Sequence, residues 1–510
     1  MAQLSATLLA AAAACFTVLV WMVLVVVLLR NFIALAQLIV AIRMFSREAA
    51  PNQDFAHLWA RNEGHAPKVS VIAPAYNEEL SIAASIRSLL ALRYHDLELV
   101  VVNDGSRDRT MTVLIEAFEL EAIDRRPLVA LHRTRIVQCY RSRRYENLFV
   151  VDKENGRKAD AVNAGISFAE GELICVIDAD SVIDPEGLLR AVEPFMADDG
   201  ALIAVGGSIR VANGCAVSDG HIERVGVSKA WLPRFQTIEY FRAFLAARAA
   251  FARLSLLLLI SGAFGVFRRD ALVAAGGYKH DTVGEDLEVL VRMQRLMCEQ
   301  GRPYRVAFLP EVCCWTEVPT TIAGLRNQRT RWQQGAIETL LTHRTMLLNP
   351  RYGRLGLVAF PLLALEDLAG PVLELLGYFL IPIGLVLGVL DPKVAILFFL
   401  LTCVFGTIIS AGSLLLEEWQ LRPTATTRDF ARLAAASIIE NFGYRQMLQF
   451  FRLRGIWHFL KGNKSWAAVP RLGLANSTRE DQIHPDRRAE DKTISYRAEI
   501  QPLIDGGGPK

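Results

Sequence analysis

The sequence has no cysteine or histidine pattern of the kind that binds a structural or catalytic metal. Its eight cysteines are scattered without a C-x-x-C pair, and its nine histidines form no H-E-x-x-H motif. Scattered thiols are typical of a reducing compartment rather than of a disulfide framework. These absences argue against a zinc-binding module, a zinc protease and a disulfide-rich secreted domain.

The two common phosphate-binding motifs are also missing. No G-x-G-x-x-G opens the first predicted helix, and no G-x-x-x-x-G-K-[ST] occurs. A dinucleotide fingerprint and a P-loop are therefore excluded, so any nucleotide must be bound in another way. The net charge of +3 is small for 510 residues and gives no indication of a nucleic-acid partner.

Apolar residues, by contrast, are abundant. They make up 52% of the chain, against about 45–50% in an ordinary soluble domain. Thr7–Leu29 is uncharged and long enough to cross a hydrocarbon layer of about 30 Å. Because no basic residue precedes it and several arginines follow it, we interpret it as an anchor that enters the cytoplasm rather than a signal peptide. Phe32–Ile42 either prolongs this helix or lies at the membrane interface.

Further apolar segments occur in the last third of the chain. Ala369–Leu390 and Val394–Leu416 are predicted to span the membrane, joined by a tight connection. Ile438–Phe451 contains four polar or charged residues and fits either a span or an amphipathic interfacial helix. Trp231–Arg253 has a helical pattern that fits either a helix along the membrane surface or a core helix.

The predicted organisation has four regions. Residues 1–47 form a membrane helix with a cytoplasmic lead, and 67–349 form an α/β domain with interfacial helices. Residues 354–465 form a second membrane and interfacial region, and 474–510 have the polar composition of a disordered tail.

Short apolar runs alternate with helical patterns in the α/β region. This alternation predicts a parallel sheet covered by helices on both faces, with ligands at the carboxyl ends of the strands. The basic stretch Arg133–Arg144 between two strands is interpreted as a solvated loop, with contact to anionic headgroups as the alternative. The predicted strands are Val69–Pro74, Glu98–Asn103, Leu148–Asp152 and Glu172–Ile177.

Asp178-Ala179-Asp180 follows the last of these strands. Side chains at i and i+2 point to the same side of a strand, so both carboxylates can converge on one hard cation. Mg²⁺ and Mn²⁺ prefer oxygen ligands, and such an ion would neutralise a diphosphate. A lone D-x-D also occurs in exposed loops and helix caps, so the other motifs decide its meaning.

Polar residues occur at four further places. Tyr76-Asn77-Glu78 and Asp104 follow the first two strands, and Glu285-Asp286 open a helical run. Gln328, Arg331 and Trp332 are spaced to share one helix face, which suits a diphosphate and a stacked sugar ring. The alternative for this helix is an interfacial segment with an aromatic anchor.

Six motifs thus follow one another: VSVIAPAYNE, VVNDGS, GRKADAVNAG, DAD, GED and QRTRW. The set, from about Lys68 to Trp332, resembles the family-2 glycosyltransferases, specifically the membrane-embedded processive branch of cellulose, hyaluronan and poly-N-acetylglucosamine synthases. The resemblance implies a Rossmann-like GT-A fold, a nucleotide-sugar donor that is usually a UDP-sugar, and Mg²⁺ or Mn²⁺. GED stands where other members have TED or GDD, and this variation does not identify the sugar.

The resemblance also implies roles for the donor-side residues. Tyr76 would pack on the base, and Glu78 and Asp104 would contact the nucleoside. Lys158 would lie near the diphosphate.

The remaining roles concern the metal and the reaction. Asp180, supported by Asp178, would hold the metal, and Asp286 would be the general base. The diphosphate and the acceptor sugar would meet Gln328, Arg331 and Trp332.

The function implied is inverting transfer of a sugar to a growing polysaccharide, with translocation of the product across the membrane. A non-processive transferase that makes a glycolipid is the alternative, and the intact acids argue against a catalytically dead receptor. The expected partners are the donor, a polysaccharide or lipid acceptor and membrane lipid; the sequence leaves open whether an accessory protein is also needed. The expected location is a bacterial inner membrane, with the catalytic domain in the cytoplasm.

Overall fold

The computed structural model describes residues 2–47, 66–178, 181–218, 220–420 and 426–462. The strands in this part of the chain are β1 (Val69–Ala75), β2 (Leu97–Asp104), β3 (Leu120–Ile123), β4 (Ile136–Ser142), β5 (Leu148–Lys153), β6 (Leu173–Ile177), β7 (Val182–Ile183), β8 (Leu202–Val211), β9 (Ala216–Ser218), β10 (His221–Arg224), β11 (Phe264–Arg268) and β12 (Arg305–Thr316). The α-helices are α1 (Ala2–Arg47), α2 (Ile82–Leu90), α3 (Thr110–Phe118), α4 (Arg157–Phe168), α5 (Gly187–Met196), α6 (Trp231–Phe241), α7 (Ala249–Arg253), α8 (Arg269–Ala274), α9 (Glu285–Glu299), α10 (Ile322–Thr342), α11 (Phe360–Ala364), α12 (Gly370–Val386), α13 (Pro392–Gln420), α14 (Thr427–Ile439) and α15 (Tyr444–Leu460).

The centre of the α/β domain is the parallel array that the apolar runs predict. Strands β5, β2, β1 and β6 lie side by side in parallel. They belong to a ten-stranded sheet of order β3-β4-β5-β2-β1-β6-β11-β8-β12-β7. The sheet is wider than predicted and mixed, because β11 pairs antiparallel with both β6 and β8.

The sheet is covered on both faces, as predicted. Phe118 of α3 belongs to the buried cluster on one face, and Phe168 of α4 belongs to the cluster on the other. Every residue of β2 is buried, which explains why its sequence shows a continuous apolar run rather than an alternating one.

The interpretation of Arg133–Arg144 as a loop is wrong for its central part. Ile136–Ser142 is the strand β4, which pairs antiparallel with β3 and β5. Val137 and Arg141 of this strand are exposed, whereas Cys139 and Ser142 are buried. Five arginines, at positions 133, 135, 141, 143 and 144, give this stretch the composition of a solvated loop.

Within the described ranges, three helices are long and apolar enough to cross a membrane. Their candidate spans are Ala14–Ser46, Leu355–Val386 and Pro392–Trp419. The predicted span Thr7–Leu29 and the segment Phe32–Ile42 belong to the single helix α1, so the second segment prolongs the first.

The second span begins earlier than the predicted Ala369. Two π-helical turns, Leu355–Ala359 and Leu365–Ala369, continue the helix on the amino-terminal side. At about 1.5 Å per residue, a 32-residue helix exceeds a hydrocarbon layer of about 30 Å. Its first part packs on the α/β domain through the buried side chains of Leu355 and Phe360.

Ile438–Phe451 is not one helix. Helix α14 ends at Ile439 and α15 begins at Tyr444, after Gly443 with a φ of 97°. The predicted helix from Trp231 is confirmed, and a π-helical turn, Arg242–Arg248, joins α6 to α7. This helical unit packs against both α1 and α13. The predicted tail, residues 474–510, lies outside the described residues.

Candidate active site

The predicted polar residues lie at the carboxyl edge of the parallel strands. Tyr76 follows β1, Asp104 ends β2 and Asp178 follows β6. Lys158 lies in the first turn of α4, which follows β5. The parallel register of β1 with β2 and β6 brings these strand ends to one side of the domain.

A compact charged cluster forms at this edge. Lys158 Nζ lies 2.6 Å from Asp178 Oδ1 and 3.5 Å from Glu285 Oε1. The Gly262 N–H donates to Asp286 Oδ2 at 3.3 Å, and the Leu287 N–H donates to Asp286 Oδ1 at 2.9 Å. The structure thus brings together acids from a strand end and from the start of α9.

The environment of this cluster changes its protonation. Burial, opposed by the charge of Lys158 and assisted by that of Asp286, raises the pKa of Glu285. Burial would lower the pKa of Lys158, but the charges of Asp178 and Glu285 outweigh it and raise the pKa. Lys158 therefore stays cationic at neutral pH, where it can meet an anionic group such as a diphosphate.

The predicted metal pair is only half within the described part of the chain. Asp178 faces the charged cluster, whereas Asp180 lies outside the described residues. Among the residues that are described, no group of three or more His, Cys, Asp or Glu side chains has metal-binding geometry.

Tyr76, Glu78 and Asp104, the residues predicted to contact the nucleoside, differ in exposure and in their partners. Tyr76 is 45% exposed, and Glu78 Oε2 accepts a hydrogen bond from Ser81. The side chain of Asp104 is almost fully buried, and its Oδ1 accepts from Lys153 Nζ at 2.6 Å and from the Gly156 N–H at 2.9 Å.

Lys153 is a residue that the sequence did not single out. Its fully buried ammonium also lies 2.9 Å from Asp160 Oδ2. The only signal in the sequence is a lysine at the end of an apolar strand, where a buried cation needs an acidic partner.

The predicted helix around QRTRW is α10. Gln328, Arg331 and Trp332 share the face that lines a cavity, as their spacing predicts. Trp332 is 44% exposed, so an aromatic surface is open for stacking.

Helix α10 is held directly against Thr282–Gly284, the segment that leads into α9. A Cβ atom added to Gly335 would lie 2.6 Å from the Gly284 Cα, so both positions require glycine for the backbones to approach. Glu338 Oε2 accepts from the Thr282 hydroxyl and the Val283 N–H, each at 2.9 Å. This contact fixes Asp286 relative to the motif helix.

Arg329, within the same motif, was not predicted to have a role. Its side chain is 5% exposed, and Nη2 lies 3.0 Å from Glu239 Oε2 of α6. The Tyr444 hydroxyl of α15 donates to the same carboxylate at 2.9 Å. The Arg329 guanidinium also lies 4.1 Å from the centre of the Trp332 ring. Arg329 therefore joins the motif helix to two helices beside the membrane spans.

The cavity of about 1090 Å³ connects the charged cluster with the membrane helices. Lys158, Asp178 and Asp286 line one part, and residues of α1, α12 and α13 line another. Tyr76, Glu78 and Asp104 are not part of its lining.

Charged residues of the spans line this cavity in pairs. Arg30 of α1 lies 2.8 Å from Glu374 of α12 and 3.0 Å from Glu366. Arg452 of α15 lies 2.6 Å from Asp367. Charges at this depth are costly unless they are paired or face a polar cavity, and here they do both.

Comparison with known proteins supports the family that the motifs predict. A model described as Glycosyl transferase family 2 matches residues 70–273, and one described as Glycosyl transferase family group 2 matches residues 173–409. The matches overlap and together extend from β1 into α13. This part of the chain is a family-2 glycosyltransferase region.

Within this family, the sequence is similar to poly-beta-1,6-N-acetyl-D-glucosamine synthases. The protein of Staphylococcus aureus strain COL is 29% identical over 273 residues, which are 54% of this chain and 55% of the relative. The protein of Staphylococcus epidermidis gives the same values. The chain thus spans about half the length of the curated relatives it matches.

A solved structure shares the fold. A mannosyltransferase from Pyrobaculum calidifontis, in complex with GDP-Man and Mn²⁺, aligns with a TM-score of 0.50 at 17% identity. The alignment covers 87% of this chain and 100% of that chain. The α/β fold of GT-A type, flanked by apolar helices, is thereby confirmed.

Proposed function

We propose that this chain transfers a sugar from a nucleotide-sugar, a UDP-sugar by preference, to a growing polysaccharide that then crosses the membrane. The observation that carries the proposal is the cavity that joins the Lys158, Asp178 and Asp286 cluster to the membrane helices. The similarity to poly-beta-1,6-N-acetyl-D-glucosamine synthases supports N-acetylglucosamine as the first sugar to test.

A divalent cation fits the proposal through its oxygen donors. Asp178 supplies a carboxylate that faces the charged cluster, and Asp180 would supply a second. Mg²⁺ or Mn²⁺ bound by these two residues would neutralise charge on the donor diphosphate.

The described side chains provide the rest of the chemistry. Asp286 would accept the proton of the acceptor hydroxyl as that oxygen attacks the anomeric carbon. Its two backbone hydrogen bonds orient the carboxylate and leave lone pairs for this proton. Lys158 and Arg331 would stabilise the departing diphosphate. A single displacement inverts the anomeric carbon, so an α-linked donor gives a β-glycoside.

The orientation proposed for the chain follows from its arginines. Arg43 lies near the end of α1, and positive residues favour the cytoplasmic side. We therefore propose a cytoplasmic catalytic domain in an inner membrane of bacterial type.

A donor panel tests the function. The full chain, purified in detergent with Mg²⁺ or Mn²⁺, is incubated with UDP-N-acetylglucosamine, UDP-glucose or GDP-mannose, and nucleotide release and product mass are measured. We expect one UDP-sugar to give a ladder of polymer masses. A product of lipid plus one sugar would favour the glycolipid alternative, and no transfer from any donor would overturn the proposal.

A further inference from the structure

Arg248 is the last residue of the π-helical turn between α6 and α7. An extra residue per turn changes the direction in which side chains project, and such turns are frequent at functional sites. Five of the seven residues of this turn line the cavity: Arg242, Ala243, Phe244, Ala247 and Arg248.

Most other basic side chains of the cavity lining have an acidic partner in the structure. Within the described residues Arg248 forms no ion pair, and its buried Nη1 has no hydrogen-bond partner. Its guanidinium packs over the Phe244 ring, 3.9 Å from the ring centre. The paired cations are Arg30, Lys158, Arg242, Arg329, Arg445 and Arg452.

A buried donor without an acceptor is costly, and more so when the group is charged. Burial lowers the pKa of Arg248 to about 10, although the charge of Asp286 opposes this effect. The guanidinium is therefore still charged at neutral pH, so its Nη1 is a strong donor beside the proposed general base.

The position of Arg248 favours the acceptor over the donor. Lys158 and Asp178 lie at the sheet edge, whereas α6, the π-helical turn and α7 pack against the membrane helices α1 and α13. Arg248 thus stands on the membrane side of the charged cluster, where a growing chain would leave.

The charges of the lining indicate which kind of acceptor fits. Among the residues that the structure describes, eight acidic and eight basic side chains line the cavity. A lining with balanced charge gives no net attraction to a polyanion, so a neutral saccharide fits better than one with a carboxylate on each repeat.

We propose that Arg248 binds the terminal sugar of a neutral saccharide acceptor and donates a hydrogen bond from Nη1 to one of its hydroxyl or carbonyl oxygens. Asp286 accepts the proton of the reacting hydroxyl of the same sugar. This inference rests on the proposed function and identifies a residue that binds the acceptor. The stacking of Arg248 on Phe244 holds the guanidinium in place for this contact.

The test compares Arg248→Met, which removes the donor, with Arg248→Lys, which keeps the charge. Arg253→Gln, an exposed arginine of the same helical unit, is the matched control. Initial rates are measured with UDP-N-acetylglucosamine and a β-1,6-linked N-acetylglucosamine pentasaccharide, each varied in turn. Donor binding is measured separately by calorimetry, and folding by size-exclusion chromatography and thermal unfolding.

We expect Arg248→Met to raise the KM for the pentasaccharide at least tenfold, with donor affinity unchanged, and Arg248→Lys to have a smaller effect. A rise in the donor Kd instead would assign Arg248 to the diphosphate and overturn the inference. Unchanged acceptor KM in a folded Arg248→Met would overturn it as well. If the wild-type chain bound no nucleotide-sugar, the proposed function itself would be wrong, which is a different outcome from failure of this inference.

Discussion

At the scale of single residues, the account depends on Asp286. Backbone N–H groups of Gly262 and Leu287 hold its two carboxylate oxygens, so its orientation does not depend on a flexible partner. Preorganisation of this kind is what a group needs if it is to accept a proton in a fixed direction.

Replacing Asp286 with Asn keeps the shape of the side chain but removes its basicity. We expect transfer to fall by about 10²–10⁴-fold, the usual contribution of a general base, while donor affinity changes little. Steady-state transfer and donor calorimetry on the same preparation measure the two effects. Asp199→Asn, an exposed carboxylate, is the control. Retained transfer in Asp286→Asn would remove Asp286 as the base.

The residues around Asp286 show what the sequence could predict at this scale. Lys158 and Asp178 follow strand ends or open helices, so a correct strand assignment was enough to place them at one edge. The pairing of Lys153 with Asp104 could not be predicted, because it depends on the register between β2 and β5.

At the scale of elements, the helix α10, which carries the QRTRW motif, contacts the other elements that form the site. The backbone of α10 at Gly335 contacts Gly284, which precedes α9. The buried Arg329 side chain of α10 forms an ion pair with Glu239 of α6. The spacing of Gln328, Arg331 and Trp332 predicted that they share one face of a helix. The sequence could not predict which neighbours α10 contacts, because these come from distant parts of the chain.

Replacing Arg329 with Lys tests this assembly. Lysine keeps the charge but loses the planar group that stacks on Trp332 and pairs with Glu239. We expect kcat/KM to fall about tenfold, equivalent to about 1.4 kcal/mol, and Trp332 to become more accessible to acrylamide quenching. Arg344→Lys, at an exposed position just beyond α10, is the control. Equal rates and equal quenching would show that Arg329 does not position Trp332.

The Glu288 side chain of α9 makes a pH-dependent contact with His343, the residue that follows α10. Burial would raise its pKa, but hydrogen bonds from His343 and Arg292, and their charges, lower it to about 2. The unfolded carboxyl titrates near 4.3, so the stabilisation is complete above that pH and is lost as the pH falls towards 2.

We expect the wild-type unfolding temperature to fall as the pH is lowered from about 5 to 3. Glu288→Gln should be less stable at pH 7, by about 1–3 kcal/mol, and should lose most of this dependence. Thermal unfolding in detergent across that pH range measures both effects, with the exposed Glu193→Gln as control. The same slope in Glu288→Gln and wild type would contradict the assignment.

At the scale of the whole molecule, the α/β domain and the candidate membrane helices both line the cavity of about 1090 Å³. Hydropathy predicted three spans and left Ile438–Phe451 open as a further one; among the described residues, three helices are candidate spans. The lengths of α1 and of the second span differ from the prediction, because packing on the domain extends both helices beyond the apolar core. The cavity itself was not predicted, since its lining comes from segments far apart in the sequence.

The paired charges of the spans fit a passage for a hydrated sugar chain. In each ion pair, such as Arg30 with Glu374, the two charges stabilise each other when no ligand is bound. The polar atoms of the pair can still form hydrogen bonds with a ligand.

The most direct test is synthesis by the full chain reconstituted in lipid vesicles. With the catalytic domain outside, labelled UDP-N-acetylglucosamine is added externally, and a hydrolase specific for the polymer is added with or without detergent. The account predicts a polymer that resists the hydrolase until detergent opens the vesicles and that is absent with Asp286→Asn. Polymer that is fully accessible without detergent, or a single sugar on lipid, would contradict it.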